Sequence, residues 1–203
     1  MDTADPPLIT SHVEGGPAQD ASATPIEVVD PWRGAPACRL APGGEGLVGR
    51  AAASARAAFA RHRRATRAER ATWLEAAAEG ILEATDRLAE LAIRDIGKPR
   101  RAALFEVRRS AAFVRACVHQ IHDFGGEVVP LDTAPAGAGL TGFAERVPYG
   151  VVGAVTPFNA PANLLVQKVA PALVTGNAVV VKPAPEGTRV ALEIARIFEA
   201  GGL

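Results

Sequence analysis

Residues 148–187 read PYGVVGAVTPFNAPANLLVQKVAPALVTGNAVVVKPAPEG. Val151-Val152-Gly153-Ala154-Val155 is a continuous apolar run, the pattern of a strand covered on both faces. Pro157 and Pro161 bracket a turn, and Leu164–Val174 is apolar nearly all round, as a buried helix is. Pro171 lacks the amide that a helix interior uses, so a kink or a restart is expected there. Gly176-Asn177 ends the helix, and Ala178-Val179-Val180-Val181 predicts a second buried strand. A last helix is expected from about Thr188 to Ala200, stopped at Gly201-Gly202. Strand, helix, strand and helix in this order open a doubly wound parallel sheet. Two parallel strands cannot close such a sheet, and the chain stops where a third is due.

Upstream of this block the character differs. Phe143–Val147 and Val128-Val129-Pro130-Leu131 are short extended stretches around the loop TAPAGAGLTG. Gly137-Ala138-Gly139-Leu140-Thr141-Gly142 matches the glycine pattern that cradles a pyrophosphate. That pattern works only between a strand and a helix N-terminus, and here an extended FAERVP follows, so a loop is expected. Leu104, Val107, Ala111, Val114, Val118 and Ile121 advance by helical spacings and form one apolar stripe. Before them, Thr66-Arg67-Ala68-Glu69 has capping-box spacing. Leu74, Ala78, Ile81, Leu88 and Ala92 then predict one helix running to Gly97-Lys98-Pro99. An alanine-rich helix is expected from Glu45 to His62, preceded by short strands at Ile26–Val29 and Cys38–Leu40. The basic stretch RHRRATRAER (61–70) reads as a solvated helix end. Residues 1–24, rich in Pro, Gly, Ser and Asp without a hydrophobic period, read as a disordered tail. Four segments result: the tail 1–24, strands and helices over 25–127, an extended arm over 128–147, and the sheet over 148–203.

The 203 residues carry 22 basic and 22 acidic side chains, a net charge of zero. That balance argues against nucleic acid or an anionic membrane surface as the partner. No run approaches the roughly 18 apolar residues of a membrane span, and the start MDTADPPLIT has no secretory pattern, so a cytoplasmic protein is expected. Cys38 and Cys117 are the two cysteines, too few for a disulfide framework or a four-cysteine zinc site. Cys117, His119 and His122 lie close together, but Cys117 and His119 are two apart on a helix and face different directions, and no metal site is expected. Lys98, Lys168 and Lys182 are the only lysines, which draws attention to those positions because ammonium and guanidinium are not interchangeable in a site.

Open α/β sheets bind ligands at the carboxyl ends of their strands. Thr156-Pro157-Phe158-Asn159 and Lys182-Pro183-Ala184-Pro185-Glu186 occupy two such ends, presenting an amide donor, a rigid apolar wall and an ammonium. The plainer alternative is that Asn159 caps the following helix and Lys182 is a strand-end surface charge.

This block resembles the N-terminal half of the cofactor-binding domain of NAD(P)-dependent aldehyde dehydrogenases. The resemblance rests on GVVGAVTPFNAP, on KVAPALVTGNAVVVKPA, and on Gly97-Lys98-Pro99 followed by Glu106-Val107, and it covers about 25–203. It implies an α/β fold: a helical layer plus the first strands of a Rossmann-like parallel sheet, an incomplete aldehyde dehydrogenase fold. It implies that Asn159 is the oxyanion-hole amide, donating to the aldehyde oxygen as a thiolate attacks the carbonyl. Val155, Thr156, Pro157 and Phe158 would line the nicotinamide side of the cofactor. Lys182 would bond the adenosine ribose hydroxyls, with Ala184 and Pro185 flanking that ribose. Many members place a glutamate three residues after the lysine. Pro185 stands there in this chain with Glu186 next, so NAD and NADP both remain open.

In the family the nucleophilic cysteine, the general-base glutamate and the closing strand of the oligomer lie further along, and neither Cys38 nor Cys117 matches the nucleophile. The resemblance therefore implies a truncated aldehyde dehydrogenase, whose parent oxidises an aldehyde to an acid as a homo-oligomer, and which is inactive alone. The alternative is a non-catalytic nucleotide-binding or interaction fragment completed by a separate polypeptide.

Overall fold

The computed structural model describes residues 5–20 and 22–203; residues 1–4 and Ala21 of the expected tail lie outside them. The rest of that tail departs from expectation. It forms β1 (Leu8–Ile9), β2 (Ser11–Val13) and β3 (Gly16–Ala18). The two residues between β2 and β3, Glu14 and Gly15, both have positive φ, 58° and 76°, as a two-residue hairpin of matching twist requires. Side-chain contacts hold the hairpin to distant helices: an ion pair of Arg50 with Glu14 at 2.7 Å and a hydrogen bond between His12 Nε2 and Glu199 Oε1 at 2.7 Å. Composition missed this because β1 takes its pairing partner, β5, from elsewhere in the chain and the β2–β3 hairpin rests on side-chain contacts to remote helices.

Two longer strands follow, β4 (Ile26–Asp30) and β5 (Ala35–Leu40), in a sheet ordered β1-β5-β4 with β1 parallel to β5. Asp30 turns the chain between them, its Oδ1 accepting the backbone N–H groups of Trp32 and Arg33. Val28, Cys38 and Leu40 bury against one another beneath this sheet.

Four helices come next: α1 (Glu45–His62), α2 (Arg67–Glu83), α3 (Thr85–Ile96) and α4 (Arg100–His119). The Thr66 hydroxyl accepts the Glu69 N–H at 3.1 Å and the Glu69 carboxylate accepts the Thr66 N–H at 2.7 Å, the reciprocal box the spacing predicts. The single helix expected from Thr66 to Gly97 is in fact two, broken at Ala84. There the Thr85 hydroxyl donates to the Leu82 carbonyl at 2.6 Å, a side-chain bond to backbone of the kind that disturbs a helix ladder. The stripe survives the break, since Leu88 and Ala92 face the same core as Leu74 and Ile81. Along α4 and the short 3-10 turn after it, Val107, Ala111, Val114, Val118 and Ile121 are buried, with Leu104 partly buried at the edge.

An antiparallel pair, β6 (Glu127–Val129) and β7 (Gly142–Ala144), encloses two 3-10 turns. The glycine pattern 137–142 runs from the second turn into β7, with no helix after it. The deciding segment then gives β8 (Val151–Val155), α5 (Pro161–Val174), β9 (Ala178–Lys182) and α6 (Thr188–Ala200). β8 and β9 are parallel and in register from Val151 opposite Ala178 to Val155 opposite Lys182. The first helix of this unit, α5, stays continuous through Pro171, so the chain does not restart there.

The main core lies among α2, α3, α4, α5 and α6, where Leu74, Ile81, Leu88, Val107, Val114, Val166 and Ile194 are almost wholly enclosed. Each such side chain contributes roughly 1.5–3 kcal/mol by leaving water. Ala77, Ala78, Ala111 and Ala170 are equally buried and let the helices approach closely. The expectation that β8 is covered on both faces does not hold: Val155 is 67% exposed. Among the described residues the sheet has two strands, so nothing flanks β8 on its far side.

Candidate functional site

The carboxyl ends of β8 and β9 are tied together beyond their ladder. The Thr156 N–H donates to the Lys182 carbonyl at 3.1 Å, and the Ala184 N–H donates back to the Thr156 carbonyl at 3.0 Å. Thr156 is buried by this lacing. The turn 157–160 therefore leaves the sheet beside the turn 183–187. Val155, paired opposite Lys182, and Phe158, 51% exposed, form an open apolar wall there. Asn159 and Lys182 are exposed, with Ala184, Pro185 and Glu186 half-buried. Gly187 is buried against the start of α5, and a Cβ on it would approach that of Pro161 to 3.2 Å. The structure thus joins Val155, Thr156, Lys182 and Ala184 through the backbone. It places Asn159 on the neighbouring turn, with no hydrogen bond to residues 182–185 among the described residues.

Asn159 does not cap α5. The cap position is Ala160, with no side-chain bond, and Pro161 in the first turn has no N–H to satisfy. The first-turn donors without a partner inside the helix are those of Ala162 and Asn163, and both point at Oε1 of Glu106 from α4, at 2.9 and 3.1 Å. A buried carboxylate at a helix N-terminus is stabilised by these orphan amides and by the helix dipole. Its other oxygen pairs with Lys98, whose Nζ also donates to the backbone carbonyl of Asn159 at 2.9 Å. Side-chain exposure of 16% for Lys98 and 7% for Glu106 keeps water from competing fully with the pair.

Lys98 is delivered by the stop of α3. Gly97 adopts φ 67°, its carbonyl accepts the Trp32 indole N–H at 3.0 Å, and Pro99 opens the way into α4. Neither Lys98 nor Glu106 figures among the sequence-derived site residues. A signal existed: Ala103, Glu106, Ser110, Val114 and Cys117 repeat at spacings of 3 and 4 beside the apolar stripe, so an acidic residue sits on a buried face.

Both cysteines are far from a nucleophile's environment. Cys38 is buried on β5 in the small core with Val28 and Leu40, and Cys117 in the main core on α4. Burial pushes both thiols up from their ordinary value, with Asp95 adding to the rise at Cys38 and Arg189 opposing it. Among the described residues no group of three His, Cys, Asp or Glu side chains could hold a metal ion, and no helix is long and apolar enough to cross a membrane.

The family model of the aldehyde dehydrogenase family matches residues 18–203. The 3-sulfolactaldehyde dehydrogenase of Priestia aryabhattai is 34% identical over 184 residues, which is 91% of this chain and 38% of that protein. The crystal structure of NADP-dependent glyceraldehyde-3-phosphate dehydrogenase from Bacillus halodurans C-125 complexed with NADP superposes with a TM-score of 0.91 at 29% identity. It covers 97% of this chain and 41% of that one. PnpE in complex with nicotinamide adenine dinucleotide superposes at 0.87 with 30% identity, over 96% of this chain and 39% of that one. The chain spans about two-fifths of the length of these relatives.

Proposed function

This chain belongs to the aldehyde dehydrogenase family, and on that premise we propose that residues 151–187 supply part of a site for NAD(P)-dependent oxidation of an aldehyde to a carboxylic acid. The observation that carries this reading is the lacing of Thr156 to Lys182 and Ala184, which opens the Asn159 turn and the Lys182 turn side by side at one end of the parallel pair.

The residues present fit a dinucleotide. Lys182 offers an exposed ammonium to the adenosine ribose hydroxyls, and Ala184 and Pro185 form a rigid flank beside it. Val155, Thr156, Pro157 and Phe158 give an apolar wall toward the nicotinamide. The bound cofactor supplies the hydride acceptor. Pro185 presents no carboxylate to repel a 2′-phosphate, which supports NADP as an accepted cofactor alongside NAD. The side-chain NH₂ of Asn159 donates to the aldehyde oxygen as it gains negative charge, an interaction stronger in the transition state than in the ground state.

The nucleophile is not Cys38 or Cys117, since both thiols are buried in packed cores. We therefore propose that these 203 residues bind the cofactor without turning over aldehyde by themselves. Calorimetric titration with NADP⁺ and NAD⁺ tests the binding. Both are expected to bind, and Lys182→Ala is expected to weaken each about tenfold or more through loss of a charge-assisted bond. A folded chain that binds neither, or a Lys182→Ala variant that binds both unchanged, overturns the reading. Aldehyde-dependent NAD(P)H formation by the 203 residues alone would overturn the inactivity.

A further inference from the structure

We propose that Lys98 and Glu106 form a positioning clamp for Asn159, fixing the turn that carries the oxyanion amide to the N-terminus of the next helix. This inference rests on the catalytic role proposed above for Asn159. A donor aimed at a developing charge works by being held in place beforehand, and a displacement of about 1 Å can cost about a hundredfold in rate. The turn has little else to hold it. Thr156 is laced to β9, and the Ala160 carbonyl accepts the Leu164 N–H at 2.9 Å inside the start of α5. For Pro157, Phe158 and Asn159, the bond from Lys98 Nζ to the Asn159 carbonyl is the hydrogen bond that the described residues supply. Phe158 cannot anchor the turn by packing, because half its surface is open.

The clamp is cross-braced. Glu106 grips α5 directly through the Ala162 and Asn163 amides, so its carboxylate is fixed relative to the helix. Lys98 is fixed relative to that carboxylate by the ion pair and reaches the Asn159 carbonyl with another N–H of the same ammonium. The turn and the helix are thus referred to one point on the α3–α4 junction. A methionine at position 98 keeps the stem and loses both bonds. An arginine keeps a cation and several donors. A glutamine at position 106 still accepts the helix amides and no longer needs a cation, so the double variant Lys98→Met with Glu106→Gln removes the hold on Asn159 without stranding a buried charge.

The test is nuclear magnetic resonance on the ¹⁵N-labelled chain, with the Asn159 side-chain NH₂ pair identified by its loss in Asn159→Ala. In the unsubstituted chain one sharp pair is expected, with rigid backbone heteronuclear NOE values at Phe158–Ala160. In Lys98→Met and in the double variant the pair broadens or splits and those NOE values fall, while α2 and α3 core resonances stay put; Lys98→Arg restores the single pair. An unchanged Asn159 pair in both variants overturns the clamp, as does a disturbance spread evenly over the core, which marks a purely structural pair. In an aldehyde-oxidising polypeptide that carries these residues, Lys98→Met lowers kcat about ten- to hundredfold with NAD(P) affinity unchanged. If Asn159→Ala leaves turnover intact there, the oxyanion reading fails while the geometry of the clamp stands, so the two failures are distinguishable.

Discussion

Arg189 of α6 grips Asp95 of α3 across 94 residues of sequence: its Nε donates to Oδ1 and Oδ2, each at 3.0 Å, and its Nη2 also donates to Oδ1. The Asp95 side chain is 1% exposed, and burial pushes its carboxyl above the usual carboxylate range even against the pull of Arg189, with Asp30 adding to the rise. A carboxyl raised in the folded state contributes most to stability in acid, and that contribution declines as pH rises through the folded value. At neutral pH the ionised Asp95 depends on Arg189. Arg189→Ala is expected to cost about 3–5 kcal/mol in urea unfolding at pH 7, and less near pH 4 where Asp95 can take a proton. The double variant Asp95→Leu with Arg189→Leu should recover most of that loss. A cost below about 1 kcal/mol for Arg189→Ala would show that the pair is not desolvated as described.

Gly97 carries the α3–α4 junction on a left-handed backbone. A Cβ there would lie 2.7 Å from Pro31 Cγ and 3.1 Å from Trp32 Nε1. Gly97→Ala is expected to lower stability by about 1–3 kcal/mol from backbone strain and crowding. Denaturation followed by tryptophan emission reads both effects, since displacing Trp32 breaks its bond to the Gly97 carbonyl. An unshifted midpoint with unchanged emission would contradict this.

The Glu69 carboxylate is held below its ordinary pKa by the backbone N–H of Thr66, then by its hydroxyl. A depressed acid contributes stability above its unfolded pKa and loses it as pH falls through the lower folded value. The melting-temperature advantage of the unsubstituted chain over Glu69→Gln should therefore be present above about pH 5 and vanish on acidification. Parallel curves for the two proteins across this range would remove the linkage.

In the cofactor site proposed above, a carboxylate in place of Pro185 would face the 2′ position of the adenosine ribose. Pro185→Glu is expected to weaken NADP⁺ binding about tenfold or more by like-charge repulsion, with NAD⁺ binding retained. Calorimetry of the two cofactors measures the ratio. An unchanged preference would place the ribose away from residue 185.

Cys38 and Cys117 should be silent toward iodoacetamide in the native chain at neutral pH and react together on unfolding in urea, because burial disfavours both thiolates. Selective native-state alkylation of either, read by mass spectrometry, would show a reactive thiol and contradict its burial.

What was legible in the residues was the local and the periodic. The Glu45–His62 helix, the Thr66 box and the apolar stripe of α4 follow from spacing alone, because helix amides and capping groups find partners within four residues. The β8–α5–β9–α6 order was equally plain from apolar runs and their breakers. The hairpin in residues 11–18, the break at Ala84 and the exposure of β8 were not. Each depends on what lies beside the segment: helices from far away, a hydroxyl that donates to a helix carbonyl, or a flank with no neighbouring strand among the described residues.

The same division runs through the candidate site. Asn159 and Lys182 could be named as candidates from their places after two apolar strands, since strand ends are where such sheets present side chains. Glu106 reaching the Ala162 amide over 56 residues, Lys98 reaching the Asn159 carbonyl over 61 and Arg189 reaching Asp95 over 94 leave no mark in local spacing. Sequence by itself nominated Asn159 and Lys182 for the chemistry proposed here. Only the tertiary structure decided what holds them, because a buried ion pair or a remote cap exists only once packing has excluded the water that would otherwise compete for each group.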